Sequence, residues 1–223
     1  MDGPGGPGAA DGADGGTARL FAALLPPPPV LDGLRERVTA LREAPGAGRL
    51  RWTEPDGWHL TLAFYGAVPG SVRPGLDARL ERAARRGRPA ALELRGAGRF
   101  GDRALWADVA DAEPGAVAAL ARLAGAAEAA GRRAGTGGGP GRRRFTPHLT
   151  LARSRNREAG PPVPLAPYVE RLADHVSPPW RPGRLALVRS HLPVSGVPGE
   201  QPRYETVAAW PLGDPARTDT VEG

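Results

Sequence analysis

His59-Leu-Thr-Leu-Ala63 and His148-Leu-Thr-Leu-Ala152 are the same pentapeptide, repeated at an offset of 148 − 59, or 89 residues, in a chain of 223. The chain holds 4 His and, by count, 10 Thr. Random placement would give about 0.2 His-x-Thr triplets. Two occur, each inside the same string. Side chains alternate faces along a strand, so His59 and Thr61 share one face while Leu60 and Leu62 share the other. The same holds for His148 and Thr150 against Leu149 and Leu151. Polar residues on one face and leucines on the other describe a half-buried strand lining a cleft. Pro147 and Gly66 are the expected strand punctuation.

Two imidazoles suit acid–base chemistry. Histidine titrates near pH ~6.5, so near neutrality one copy can be neutral and the other protonated. One accepts a proton from a nucleophile and the other donates to a leaving oxygen. A hydroxyl two residues along lies roughly 6.5–7 Å from its histidine along the strand. Thr61 and Thr150 are therefore placed to hydrogen-bond the non-bridging oxygens of a phosphate held between the histidines. Transition-metal binding is the competing use of paired histidines. With no Cys in the chain and no carboxylate inside either motif, the donor set for zinc is poor. Packing alone does not require His and Thr to recur together.

The paired motifs resemble the H-x-T-x signature of the 2H phosphoesterase superfamily. Arg19-Leu-Phe-Ala-Ala-Leu-Leu-Pro26 is similar to that family's opening strand, and Arg51 to His59 to its approach to the first motif. Phe145 to Arg153 is similar to its second motif with the trailing arginine. Together these resemble the RNA 2′,3′-cyclic phosphodiesterase branch, also described as 2′-5′ RNA ligase-like, over roughly residues 18–212. The resemblance implies hydrolysis of a terminal ribose 2′,3′-cyclic phosphate to a 2′-phosphate, reversible as ligation. It implies His59 as proton donor to the 3′-oxygen and His148 as the acceptor that activates water, a polarity the near-symmetric motifs cannot fix. Thr61 and Thr150 would hold the phosphoryl oxygens, with no metal or organic cofactor. Arg153 either contacts the phosphate or fixes the strand. Phe64 and Tyr65 are candidates to stack a terminal base, with core packing as the competing role.

Two similar halves of interleaved strands and helices, with a motif strand in each, predict an α+β fold. Two antiparallel-sheet lobes with outer helices, related by a pseudo-two-fold axis, would bring both motif strands to one groove. The resemblance implies the same architecture. Every one of the 30 basic residues is Arg, on an Ala-, Gly- and Pro-rich background. The formal net charge of +6 favours polyanionic partners, and a guanidinium fork suits phosphate. RNA ending in a 2′,3′-cyclic phosphate or 2′-5′ linkage is the expected partner. No disulfide is possible without Cys, and neither a signal-peptide pattern nor an apolar run near ~20 residues is present. A cytoplasmic monomer is the expectation.

Along the chain, residues 1–17 are expected to be a disordered tail and 213–223 a loose one, flanking a single domain over 18–212. Strands are expected at 20–25, around each motif, at 91–100 and 104–109 turning at Gly101-Asp102, at 185–192 and at 204–210. Helices are expected over 30–44, 71–86 with Ser71 as cap, 114–130, and a short one over 164–173. Residues 131–144 read as a Gly- and Arg-rich loop, either a plain connection or a basic rim at Arg142 to Arg144 for an RNA backbone. His175 and His191 read as structural or surface residues. The competing functions are a 2H phosphodiesterase acting on small cyclic nucleotides or 2′-5′ oligonucleotides, and a non-catalytic RNA-binding module.

Overall fold

The structure, a computed structural model, describes residues 16–137, 145–154, 162–193 and 201–213. Among these residues, eight strands and four α-helices follow in the order β1 (Thr17–Leu24), α1 (Pro28–Arg42), β2 (Leu50–Trp52), β3 (Leu60–Pro69), α2 (Arg73–Arg86), β4 (Leu92–Arg99), β5 (Ala104–Asp111), α3 (Ala116–Ala134), β6 (His148–Ser154), α4 (Ala166–Arg171), β7 (Arg184–His191) and β8 (Arg203–Pro211). The strands form one antiparallel hydrogen-bonded order, β4-β5-β6-β3-β1-β7-β8, with β2 added to β6. Its two halves, β3-β1-β7-β8 and β4-β5-β6 with β2, are joined by a single residue pair, Leu60 opposite Leu149. The expected lobes are thus continuous through one bridge rather than two separate sheets.

That bridge fixes the symmetry. Leu60 and Leu149 are equivalent positions of the repeat, so their antiparallel pairing creates a local two-fold axis between the motif strands. A stripe of Val30, Leu31, Leu34, Val38 and Leu41 buries one face of α1. The Arg37–Asp174 ion pair, at 2.9 Å, ties that helix to the segment after α4. α2 and α3 pack on each other, α3 also against β3 and α2 against β8. One large apolar core lies beneath the sheet, and a second small cluster of Phe21, Ala23, Ala186 and Val188 lies with Tyr204. Phe21 and Ala23 pair with Phe64 and Thr61, so this second cluster belongs to the same sheet face as the motif threonine.

Two elements depart from the sequence reading. α2 starts at Arg73 with Val72 at the cap position and no side-chain cap; Ser71 does not cap it. Pro74 in the first turn and the Arg73–Asp77 ion pair at 2.7 Å hold that end instead. α3 runs four residues into the expected 131–144 loop. Gly131 does not end it, because its bare Cα lets the Tyr65 ring approach: a Cβ there would meet Tyr65 ring carbons at 2.7 Å. The helix stops at Gly135, whose φ of 79° is the left-handed cap. β1 begins at Thr17, inside the expected tail, while residues 1–15, 214–223 and the Arg142–Arg144 rim lie outside the described residues.

Candidate active site

Each motif strand carries an extra residue at the same place. In β3, Thr61 pairs with Ala23 and Ala63 with Ala22, so Leu62 is the additional residue of a bulge. In β6, Thr150 pairs with Trp106 and Ala152 with Leu105, so Leu151 is additional. A bulge inverts the alternation beyond it. Strict alternation would send Tyr65 to the histidine face and Phe64 away from it. The bulge reverses this, leaving Phe64 59% exposed and Tyr65 1% exposed. It also turns Arg153 onto the face of His148 and Thr150. Because cross-strand partners share a face, Trp106 and Asp108 join Thr150 and His148 there, and Arg51 joins Arg153.

The pairing of Leu60 with Leu149 sets the spacing. An ideal antiparallel lattice continued by one residue each way would set Thr150 opposite His59 and Thr61 opposite His148, with the two histidines on a diagonal of roughly 7–8 Å. Such a spacing would suit one tetrahedral phosphate between the imidazoles.

Both rings are held alike. The Nδ1–H of His59 donates to the Gly57 carbonyl at 2.7 Å, and that of His148 to the Thr146 carbonyl at 2.8 Å. A carbonyl only accepts, so Nδ1 carries the hydrogen, and the Nε2 of a neutral ring is left as proton acceptor. Aromatic walls then fix the ring planes. His59 lies 4.7 Å from the Phe21 ring and 5.1 Å from Tyr204, the latter edge-on. His148 lies 5.0 Å from Phe100, edge-on, and 5.9 Å from Trp106. The Trp106 ring in turn crosses Gly98, where a Cβ would meet it at 2.2 Å.

Burial disfavours the imidazolium at both positions. His59 is lowered from 6.5 to about 4, chiefly by desolvation; the Gly57 carbonyl opposes this, and His148 and Arg153 add repulsion. His148 is also lowered by burial and by Arg153, while the Thr146 carbonyl and the Asp108 carboxylate favour its charged form. Arg153 therefore acts on both rings at once. An arginine that repels both imidazoliums would attract a phosphate seated between them.

The chain matches the family model of the 2′-5′ RNA ligase superfamily over residues 27–193. It is 32% identical over 166 residues to an RNA 2′,3′-cyclic phosphodiesterase of Geobacillus stearothermophilus, covering 72% of this chain and 47% of that protein. The chain thus spans about half the length of that curated relative. The chain belongs to the 2′-5′ RNA ligase superfamily. Among solved structures, TT0787 of Thermus thermophilus is similar at 30% identity and a TM-score of 0.65, covering 88% of this chain and 99% of that one. LigT of E. coli, solved with 3′-AMP, has the same fold at 24% identity and a TM-score of 0.63, covering 88% and 98%. Fold and family therefore agree with the resemblance read from the motifs.

Within this superfamily member, the sequence-predicted residues His59, Thr61, His148, Thr150, Arg153 and Phe64 share one face. Tyr65 does not. Its hydroxyl donates to the Ala127 carbonyl of α3 at 3.1 Å, so it is a core residue and cannot stack a base. His191 pairs with Glu205 at 2.7 Å and His175 is buried near Gly33, each outside the site. Sequence reasoning missed Phe21, Tyr204, Phe100, Trp106, Asp108 and Arg51. Phe21 and Arg51 lie in segments quoted for the resemblance, and the 104–109 strand held Trp106 and Asp108. Only strand pairing reveals their neighbours. Among the described residues, no group of three or more His, Cys, Asp or Glu side chains is placed to hold a metal ion, and no helix is long and apolar enough to cross a membrane.

Proposed function

We propose that the protein hydrolyses the 2′,3′-cyclic phosphate at the end of an RNA to a 2′-phosphomonoester by two-histidine acid–base catalysis. The observation that carries this reading is the Leu60–Leu149 pair, which sets both His-x-Thr motifs on one face of adjoining strands. His148 takes the proton of the attacking water through Nε2, and the water oxygen forms the new bond to phosphorus. The bond to the 3′-oxygen breaks, and His59 gives its proton to that oxygen. Thr61 and Thr150 donate hydrogen bonds to the non-bridging oxygens, and Arg153 offsets their negative charge. Phe64 offers an exposed ring to the terminal base. The donor's low proton affinity has a chemical use: an imidazolium whose pKa is about 4 is a stronger acid than an ordinary one. The bound phosphodiester's negative charge restores the proton that burial disfavours.

The test is an RNA oligonucleotide ending in a 2′,3′-cyclic phosphate, with the product identified by phosphorus NMR. A 2′-phosphate is expected. His59→Ala and His148→Ala each reduce turnover at least ~100-fold while the melting transition stays cooperative. Activity near wild type in either variant, or a 3′-phosphate product, refutes the assignment.

A further inference from the structure

Arg51 on β2 and Arg153 on β6 stand directly opposite each other in register, with Leu50–Ser154 and Trp52–Ala152 on either side. Directly opposed side chains share a face with Cβ atoms about 4.5–5.5 Å apart, and like charges there repel. Both residues are exposed. Among the described residues neither makes an ion pair, and the nearby Glu54 carboxylate is engaged by Arg42 at 3.0 Å. Across β6 the residue paired with Arg153 is Ala104, which offers no counter-charge. A pair of unneutralised guanidiniums at this spacing is a fork waiting for an anion.

Its position says which anion. Both guanidiniums act electrostatically on Tyr204, whose ring meets that of His59 edge-on with centroids 5.1 Å apart. The Gln201 side chain donates to the Trp52 carbonyl, fastening the approach to β8 onto β2. Arg153 lies three residues beyond Thr150, roughly 10 Å of strand at most. The fork thus lies along β6 beyond Thr150, next to the reacting phosphate, whose charge Arg153 also offsets from that side. We propose that Arg51 and Arg153 form a binding site for a second phosphate, the 5′-phosphate of the nucleotide whose cyclic phosphate lies between the histidines. This rests on the function proposed above and sharpens its substrate class. An internal phosphodiester occupies the fork when the substrate is an RNA end, and a cyclic mononucleotide with a 5′-hydroxyl leaves it empty.

Two substrates separate the cases: adenosine 2′,3′-cyclic phosphate carrying a 5′-phosphate, and the same molecule with a 5′-hydroxyl. The expected ratio of kcat/KM is about tenfold or more in favour of the 5′-phosphate, the size of one charge-assisted contact. Arg51→Ala collapses that ratio towards one, and Arg51→Lys retains part of it. Without phosphate, Arg51→Ala melts no lower than wild type, because the substitution relieves repulsion at an exposed position. A wild-type ratio of one, or a ratio unchanged in Arg51→Ala, overturns the proposal. A second arm does not depend on turnover. Calorimetry compares adenosine 2′,5′-bisphosphate with adenosine 2′-monophosphate on wild type and Arg51→Ala. Tighter binding of the bisphosphate that is lost with Arg51 upholds the site even if no hydrolysis is seen, whereas equal affinities reject it.

Discussion

Changing the pH of the assay probes the two histidines without altering the chain. His59 is lowered from 6.5 to about 4 and His148 is also lowered, both mainly by burial. For His59 this disfavours the imidazolium by about 3 kcal/mol. At pH 7 about one molecule in a thousand holds a proton there. Each unit of pH removed raises that fraction about tenfold. The kcat/KM profile, which reports the free protein, should therefore climb about tenfold per unit as pH falls from 8, with its maximum below 6.5. The kcat profile reports the complex, where the phosphate's negative charge raises both groups, so its optimum should lie at higher pH. Initial rates at low and at saturating substrate, at constant ionic strength, measure the two profiles. A kcat/KM maximum at or above pH 7, or coincident profiles, would refute the electrostatic reasoning. Stability carries the same signature with a definite sign. The unfolded imidazole takes up its proton near 6.5 and the folded one only near 4, so the unfolded state binds more protons between them. Stability is complete above pH ~7 and falls by up to about 3 kcal/mol as pH drops towards 4.

Two further outcomes follow from packing. Gly98→Ala places a methyl within 2.2 Å of the Trp106 ring. It should cost about 1–3 kcal/mol in denaturant titrations and lower kcat by moving the wall against His148; wild-type stability and rate would show that the indole does not depend on the bare glycine. Phe64 and Tyr65 should separate cleanly. Tyr65→Phe should cost about 1 kcal/mol of stability with kcat and KM unchanged. Phe64→Ala should leave stability within about 0.5 kcal/mol and raise KM for RNA; the opposite pattern would reverse the two assignments.

The repeated pentapeptide made much of the site legible because strand alternation is a local rule. It put His59 with Thr61 and His148 with Thr150 on shared faces, and the apolar spacing placed α1, α3 and most strands. Legibility failed where an extra residue entered the ladder. Nothing in Leu62 or Leu151 as residues marks a bulge; only the partner strands reveal it, through the skipped register against Ala22–Ala23 and Leu105–Trp106. Strict alternation therefore cannot tell which of Phe64 and Tyr65 faces the site and which is core, nor which face Arg153 occupies. Arg51, Trp106 and Tyr204 were hidden for a related reason. Each is ordinary in its own segment and becomes part of the site only through a strand distant in sequence.

The symmetry of the backbone makes the asymmetry of the side chains informative. Leu60 and Leu149 relate the two motif strands by a local two-fold axis, and the bulges at Leu62 and Leu151 obey the same relation. Residues 64 and 153 are therefore equivalent positions, and both bulges turn them to the reacting face. One is Phe and the other Arg. Beside the histidines the difference is one of charge: each ring has two aromatic neighbours, and His148 in addition has a carboxylate, Asp108, as its cross-strand partner. A symmetric ligand would gain nothing from this division. A nucleotide end is itself asymmetric, with a base on one side of its phosphate and a charged backbone on the other. On the proposed function, the duplicated backbone would supply two equivalent proton-transfer positions, and the divergent residues at 64 and 153 would give the substrate a direction across them.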